Sequence, residues 1–382
     1  MERREFLKAA AVVAAAAAPA LPAASPATAA VRRRDSPAQA DCALRAPKRI
    51  LVLGGTRFLG PTIVRTALSH GHDVTMFNRG VSNPFLFSGV ERRIGNRFPE
   101  TSPGLAALEN GRWDVVIDTC AQYPRLVEAS ARLLADRAEH YILMSSIGVY
   151  GDYRRGGITE ESRVLENPPT FRELPDLYET DWQTYGWRKV LCERAAQKFF
   201  PGRCAVIRPG HLLGQELGGQ NKSDGRWYWP ARFHRDAVVG APGDGRDPVQ
   251  PVDIRDLANF LMLVAANKLS GTYNVVGPTI RFADFIETAR NIVGSCSVIR
   301  WIGRERSRRI LNVPYFTPFD ALPGFATIAN ARAVRAGMKF RPIREAMAAD
   351  WQFFLENMPR DYDFSANRTG LTPQEEASLI AL

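Results

Sequence analysis

Arg49-Ile-Leu-Val-Leu53 is a short, unbroken apolar run that passes directly into Gly54-Gly-Thr-Arg-Phe-Leu-Gly60. Such a run fits a parallel strand buried on both faces. From Leu59 to Ser69 the residues Leu59, Ile63, Val64, Ala67 and Leu68 fall at helical spacing, and Gly71 ends the segment. A strand that enters a helix through glycines leaves backbone N–H groups aimed at an anion, and the helix dipole adds favourable charge. Gly54, Gly55 and Gly60 supply the tight turn and the close approach that a pyrophosphate needs. A bare cluster of loop glycines would lack the flanking strand and helix.

The alternation continues downstream. Asp73-Val-Thr-Met-Phe77, Asp114-Val-Val-Ile-Asp118, Tyr141-Ile-Leu-Met144 and Cys204-Ala-Val-Ile-Arg208 read as strands, with helices over Arg125–Arg137 and Tyr185–Phe199. This order predicts an α/β fold with a doubly wound parallel sheet. Residues 210–248 are rich in Gly, Pro, Trp and charge. They read as loops over the carboxyl edge of the sheet, where ligands bind in this architecture. Ile254–Ala266 reads as a helix and Thr272-Tyr-Asn-Val-Val276 as a strand returning to the sheet. The chain has 382 residues, 45% hydrophobic and 24% charged, which suits one large or two smaller domains. We assign 48–210 and the returning 250–278 to the sheet domain. A smaller C-terminal α/β substrate-binding region takes 211–249 and 279–382.

Tyr185-Gly-Trp-Arg-Lys189 sets a phenol and an ammonium four residues apart, on one helix face and one turn apart. A free tyrosine, with a pKa near 10, is a poor base at neutral pH, and a neighbouring ammonium favours the phenolate. The pair alone is common by chance. Here it follows the phosphate turn and Ser145-Ser146-Ile-Gly-Val-Tyr-Gly151 in order. Together the three segments point to redox chemistry on a hydroxyl or carbonyl with a bound nicotinamide.

From Lys48 to about Pro278 the chain resembles the extended branch of the short-chain dehydrogenase/reductase superfamily, the NAD-dependent epimerase/dehydratase group. The family turn reads T-G-x-x-G-x-x-G. Here Leu53 replaces the Thr and Arg57 the central Gly. Atypical members, including chloroplast stem-loop-binding proteins, share the G-G-T-R-F wording. The resemblance implies a Rossmann-type sheet with NAD(P) along Gly54, Gly55, Thr56, Arg57, Phe58, Leu59 and Gly60. Arg57 either reaches a cofactor phosphate or stays solvated on the first helical turn, and phosphate contact is the expectation. Asn78 stands where NAD-preferring relatives carry an acid on the ribose hydroxyls, and Arg79 follows it. The missing carboxylate removes repulsion against a 2′-phosphate and Arg79 attracts one, so NADP is expected over NAD. Asn96 replaces a residue that is often Asp near the adenine. Asp118 and Thr119 end the strand where the backbone passes the cofactor.

On the family pattern, counted back from Val149-Tyr-Gly151, Ser146 takes the catalytic serine position and Ser145 is the lesser candidate. Its hydroxyl would bond the substrate oxygen and stabilise developing charge. Tyr185 would remove or supply the hydroxyl proton, and Lys189 would also hold the nicotinamide ribose. In Arg208-Pro209-Gly-His211, His211 stands where the family often has Asn. It touches the nicotinamide or the substrate, or it is a hydrogen-bonded structural histidine; both readings stay open. Asp253 is expected to face the site and Asp256 to organise a helix start. Trp227-Tyr-Trp229 is expected to pack rather than to stack on a sugar. Val249 aligns where sugar-nucleotide epimerases place an arginine against the diphosphate, which weakens a UDP-sugar assignment. The long gap between Ser146 and Tyr185 suggests a surface excursion or lid. Histidines and carboxylates show no metal-ligand spacing, so no metal is expected. A homodimer through the Tyr185 helix is a family expectation.

The N-terminus reads as a leader rather than as fold. Arg3-Arg4, Phe6-Leu7-Lys8, a weakly apolar Ala9–Ala20 stretch and Ala27-Thr28-Ala29 resemble a twin-arginine signal over residues 1–29, in preference to an ordinary secretory leader. Residues 30–47 read as a linker. Export to the periplasm or beyond is expected, with no stable membrane anchor after cleavage. Cys42, Cys120, Cys192, Cys204 and Cys296 are scattered and mostly buried thiols are expected. The net charge of +10 is spread out, so a solvated basic surface is favoured over a nucleic-acid face, and no nucleic acid is expected. Three functions compete: an exported oxidoreductase or epimerase of a sugar-like or small polar substrate that keeps its cofactor, an NADPH-dependent reductase of a small carbonyl or enone, and a non-catalytic RNA-binding or sensor protein.

Overall fold

The computed structural model describes residues 46–98, 101, 103–166, 182–214, 225–308, 310, 313–320, 322–357, 362 and 370–380. Arg45–Leu382 forms one compact unit. The leader, the linker as far as residue 45, Cys42 and residues 167–181 of the gap between Ser146 and Tyr185 lie outside the described residues.

Seven parallel strands make the central sheet: β1 (Arg49–Leu53), β2 (Asp73–Asn78), β3 (Glu91–Ile94), β4 (Trp113–Asp118), β5 (Ala138–Met144), β6 (Cys204–Pro209) and β7 (Gly271–Val275). Their order across the sheet is β7-β6-β5-β4-β1-β2-β3. The order reverses between β1 and β4, where Leu53 pairs with Asp118, and in this architecture ligands bind outside the carboxyl ends at such a reversal.

Alternation along each strand assigns its residues to the two faces. Ile50, Val52, Val74, Met76, Val115 and Ile117 pack against helices α1 (Leu59–Ser69) and, further along the chain, Ile254–Asn267. Leu51, Leu53, Val116, Tyr141 and Leu143 pack against α2 (Pro124–Leu134) and α3 (Trp182–Phe199). With both faces covered, the strands need continuous apolar sequence. The next helices are α4 (Gly225–Arg235), α5 (Ile254–Asn267), α6 (Phe282–Ile292), α7 (Ile343–Asn357) and α8 (Pro373–Ile380). A second apolar core joins α4, α6 and α7 through Trp229, Phe233, Phe282, Phe285, Trp351 and Phe354. No helix among the described residues is long and apolar enough to cross a membrane.

Among the described residues after Pro209, helix and strand replace expected loops, while 215–224 lie outside the described residues. Trp227, Tyr228 and Trp229 lie on α4, and all three are buried, as the packing expectation had it. Val238–Ala241 is a strand that pairs with Val298–Trp301. The edge strand β3 is short and polar, and its sequence shows no apolar run. Asp253 corrects an expectation. It caps α5 by accepting the Arg255 N–H, and its carboxylate pairs with the Arg255 guanidinium at 2.6 Å. Asp256, in the first turn of α5, pairs with Arg341 at 2.7 Å. Both carboxylates therefore serve the helix start and the C-terminal region. Cys192 and Cys204 are buried and Cys120 half-buried, while Cys296 is exposed.

Candidate active site

The carboxyl ends of β1, β4, β5 and β6 bring the predicted residues to one edge. Gly54 and Gly55 leave β1 with φ of +114° and +92°. A Cβ on Gly54 would lie 2.5 Å from Thr119 Oγ1 and 2.8 Å from Cys120 Sγ, and one on Gly60 would lie 2.7 Å from the Gly55 Cα. The turn is therefore closed to any side chain at these positions. Phe58, which starts α1, sits at φ +53°, a conformation that costs a non-glycine residue about 1–3 kcal/mol. No side chain caps α1, and no acid stands in its first turn. Gly60 N–H donates to the Arg57 carbonyl at 3.0 Å and Pro61 has no N–H, so it is chiefly the positive dipole end of α1 that remains for an anion. These features fit a dinucleotide pyrophosphate.

The neighbouring side chains divide into structural and available groups. Asn78 donates from Nδ2 to the Gly54 carbonyl at 3.0 Å and accepts the Gly80 N–H through Oδ1. It braces the turn. Thr56 is buried, and its carbonyl accepts from Asn83 Nδ2 at 2.8 Å. Thr119 Oγ1 donates to the Leu53 carbonyl. Asp118 is fully buried and takes both terminal nitrogens of Arg97 at 2.7 and 2.8 Å, together with the Tyr141 hydroxyl at 2.7 Å. Burial alone would lower the Arg97 pKa, but the Asp118 carboxylate outweighs it and raises it. Arg97 was not singled out in the sequence, where it reads as one more surface cation. Its neighbour Asn96 accepts the Phe98 N–H. Leu59 is buried in the core at the start of α1. Arg57 and Arg79 are exposed and their side chains make no hydrogen bond, ion pair or ring contact with a described residue, so both guanidiniums can meet a phosphate.

Two residues beyond the end of β5, Ser146 caps a short helical turn over Ile147–Val149, its Oγ accepting the Gly148 N–H at 3.0 Å. Tyr185 and Lys189 lie on one face of α3. A Cβ placed on Gly148 would touch both Ser146 Oγ at 3.3 Å and Tyr185 Cε1 at 3.2 Å, so hydroxyl and phenol ring flank the same point. Both residues are half-buried. Gly186 makes this approach possible, because a Cβ there would overlap the Gly148 carbonyl oxygen. The Lys189 ammonium is buried, lies 5.8 Å from the centre of the Tyr185 ring, and donates to the Met144 carbonyl at 2.9 Å. An ammonium has three donors, so this bond leaves two for other partners.

One turn beyond Lys189 on the same face, Glu193 completes a stripe that sequence reading missed. It forks onto Arg208 at 2.7 and 2.9 Å and accepts from Ser145 Oγ at 2.5 Å. Arg208 also donates to Tyr150 Oη, which bonds Asn274 Oδ1 at 2.6 Å. This buried network ties β5, α3, β6 and β7 together behind the site. Ser145 thus faces the interior, while Ser146 borders the Tyr185 ring. Tyr153 donates to the Ile147 carbonyl at 2.5 Å, and burial, with Tyr150 beside it, raises its pKa. Pro209 ends β6 against Val275. His211 follows it, its ring set between Tyr315 and Phe325.

Residues 1–20 match the TAT (twin-arginine translocation) pathway signal sequence family. The chain is 28% identical over 204 residues to the 2'-dehydrokanamycin reductase of Streptomyces kanamyceticus, covering 52% of this chain and 53% of that protein. It is 32% identical over 117 residues to the chloroplast stem-loop binding protein of 41 kDa b of Arabidopsis thaliana, covering 27% of this chain and 30% of that one. The matches thus span about half, or less, of these relatives' lengths. Among solved structures, a human epimerase family protein with NADPH superposes at a TM-score of 0.55 and 20% identity, over 80% of this chain and 99% of that one. The chain thus joins a twin-arginine translocation signal sequence to a Rossmann-type domain with the fold of the epimerase and dehydratase structures.

Proposed function

We propose that the protein is an exported, NAD(P)-dependent oxidoreductase or epimerase acting on a hydroxyl or carbonyl of a sugar-like or small polar substrate. The observation that carries this reading is the convergence of Ser146 Oγ and the Tyr185 ring on Gly148, with the Lys189 ammonium beside that ring. A nicotinamide, when bound, accepts or supplies hydride. Ser146 would hold the substrate oxygen through its hydroxyl. Tyr185 would carry the proton to or from that oxygen, with the Lys189 ammonium, fixed by the Met144 carbonyl, beside its ring. Half-burial of Ser146 and Tyr185 limits water at the reacting bond.

For the cofactor, Gly54, Gly55 and Gly60 with the uncapped start of α1 would take the pyrophosphate. Arg57 and Arg79, with no acid at position 78, support NADP over NAD. The twin-arginine route supports loading of the cofactor before export, into the periplasm or beyond. Outside the cytoplasm a released nicotinamide has no assured pool for recycling, which favours a reaction that returns its own hydride. The 28% identity to a reductase favours a second reading, one-way NADPH-dependent reduction of a carbonyl.

The test is mass spectrometry of ligands released from protein isolated from the exported fraction, followed by turnover assays on the same material. Co-purifying NADP(H) and turnover without net cofactor consumption support the first reading. Stoichiometric NADPH consumption supports the second. An empty protein that binds no dinucleotide on titration refutes both.

A further inference from the structure

A narrow cavity opens beside the Ser146 turn, between Ile147, His211, Gln250, Val276, Phe325 and Ala326. Its free volume is about 10 Å³, room for one water-sized group. The cover is a strap over residues 322–330, pinned along its length. Gly324 N–H donates to the Tyr153 carbonyl at 2.8 Å, Ala329 N–H to the Ile158 carbonyl at 2.8 Å, and Asn330 Nδ2 to the Val276 carbonyl at 2.9 Å. Gln250 is spent on the strap: Oε1 accepts the Ile328 N–H at 2.9 Å and Nε2 donates to the Ile328 carbonyl at 2.9 Å.

That leaves His211 as the polar side chain with capacity to spare among these residues. Its ring stands edge-on to Tyr315 at 5.6 Å and tilted against Phe325 at 5.4 Å, and neither ring nitrogen bonds a described residue. Burial pushes its pKa down to about 4, so at neutral pH the ring offers one donor and one acceptor and no charge. No lysine, arginine or carboxylate lines the cavity.

We propose that His211 and this cavity form a specificity subsite for a small uncharged substituent on the carbon next to the reacting carbon. The proposal rests on the reading of Ser146 as the group that holds the substrate oxygen. A hydroxyl or a methyl group fits the volume, and a hydroxyl there meets the neutral imidazole. A carboxylate or phosphate would be stripped of water against Phe325, Val276 and Ile147 with no cation to receive it. A pocket built to bond a polar group discriminates strongly against analogues that cannot match it.

Three ketones that differ only at that carbon test the subsite: hydroxyacetone, pyruvate and hydroxyacetone phosphate. Binding to the mature protein with NADP⁺ is read by ligand-observed NMR, which needs no turnover. Hydroxyacetone should bind at least about tenfold more tightly than either anion. His211→Phe, which keeps an aromatic ring in the box, should abolish hydroxyacetone binding while NADP⁺ affinity stays unchanged. His211→Asn, which restores a donor and an acceptor, should recover most of it. Equal binding of the anions, unchanged hydroxyacetone binding in His211→Phe, or no hydroxyacetone binding by the wild type at tens of millimolar would each overturn the proposal. Failure of the hydride-transfer reading shows separately, as Tyr185→Phe with full turnover.

Discussion

Replacing Glu193 offers a quantitative check on how the site is held. Glu193 and Arg208 are each about 6% exposed at the side chain, and the pair is a bidentate fork. Glu193→Leu leaves the Arg208 guanidinium buried with Tyr150 Oη as its remaining side-chain acceptor, and strips Ser145 Oγ of its partner. Breaking a buried pair from one side costs about 3–5 kcal/mol. The entropy of unfolding is about 2.1 cal/mol/K per residue, so a cooperative unit the size of Arg45–Leu382 loses about 4–7 °C of Tm. The matching double variant, Glu193→Leu with Arg208→Met, removes both charges and should recover at least half of that loss, because apolar replacement of a whole buried pair is often close to neutral. Differential scanning calorimetry of the four proteins closes the cycle. A single-variant shift below about 1 °C, or losses that simply add in the double, would refute the picture of a desolvated, mutually dependent pair.

Three further outcomes follow from particular contacts. Arg79→Ser should weaken NADP⁺ binding by about 10- to 100-fold, the worth of one charge-assisted contact, and leave NAD⁺ unchanged; equal effects on both in titration calorimetry would remove Arg79 from the 2′-phosphate. Gly186→Ala forces α3 away from the Gly148 carbonyl, so turnover should fall sharply along with about 1–3 kcal/mol of stability by denaturant melts; a fully active variant would show that the helix need not approach the Ser146 turn so closely. Asp350 is buried, its Oδ2 accepting the Gly214 N–H at 2.8 Å, and burial followed by Asp253 pushes its pKa up to about 7. Between its unfolded value near 3.8 and about 7 the native state keeps a proton that the unfolded chain has lost, so this group's contribution to stability falls as pH rises through that window. Asp350→Asn should therefore melt higher than wild type at pH 8 and gain little or nothing at pH 5; a gain independent of pH would contradict the assignment.

The sheet was readable because strands covered on both faces must be apolar without interruption, as Ile50–Leu53 and Val115–Ile117 are. The glycine turn was readable because only glycine tolerates the positions of Gly54 and Gly60. Strand β3 was hidden because an edge strand with one partner carries polar residues, here Glu91, Arg92 and Arg93. Helix α4 was hidden by Gly225, Pro230 and three large aromatics, a composition that reads as loop until its neighbours bury it. Arg97 and Arg208 show the same limit at single residues. Arg97 looks like surface charge in the sequence and Arg208 like the end of a strand, and only the fold brings Asp118 and Glu193 to meet them. Glu193 did leave a signal, since it continues the four-residue spacing of Tyr185 and Lys189. Asp253 misled because a cap and a site carboxylate look alike until the helix that follows is seen.

The structure of the mature protein with NADPH bound tests the central claim most directly. The account predicts the pyrophosphate on the Gly54–Gly60 turn, the nicotinamide ribose on Lys189 Nζ, and the Tyr185 hydroxyl within hydrogen-bond reach, about 3 Å, of a substrate oxygen beside the ring. A nicotinamide lying away from Tyr185, or a Lys189 that bonds only the Met144 carbonyl in the complex, would contradict it.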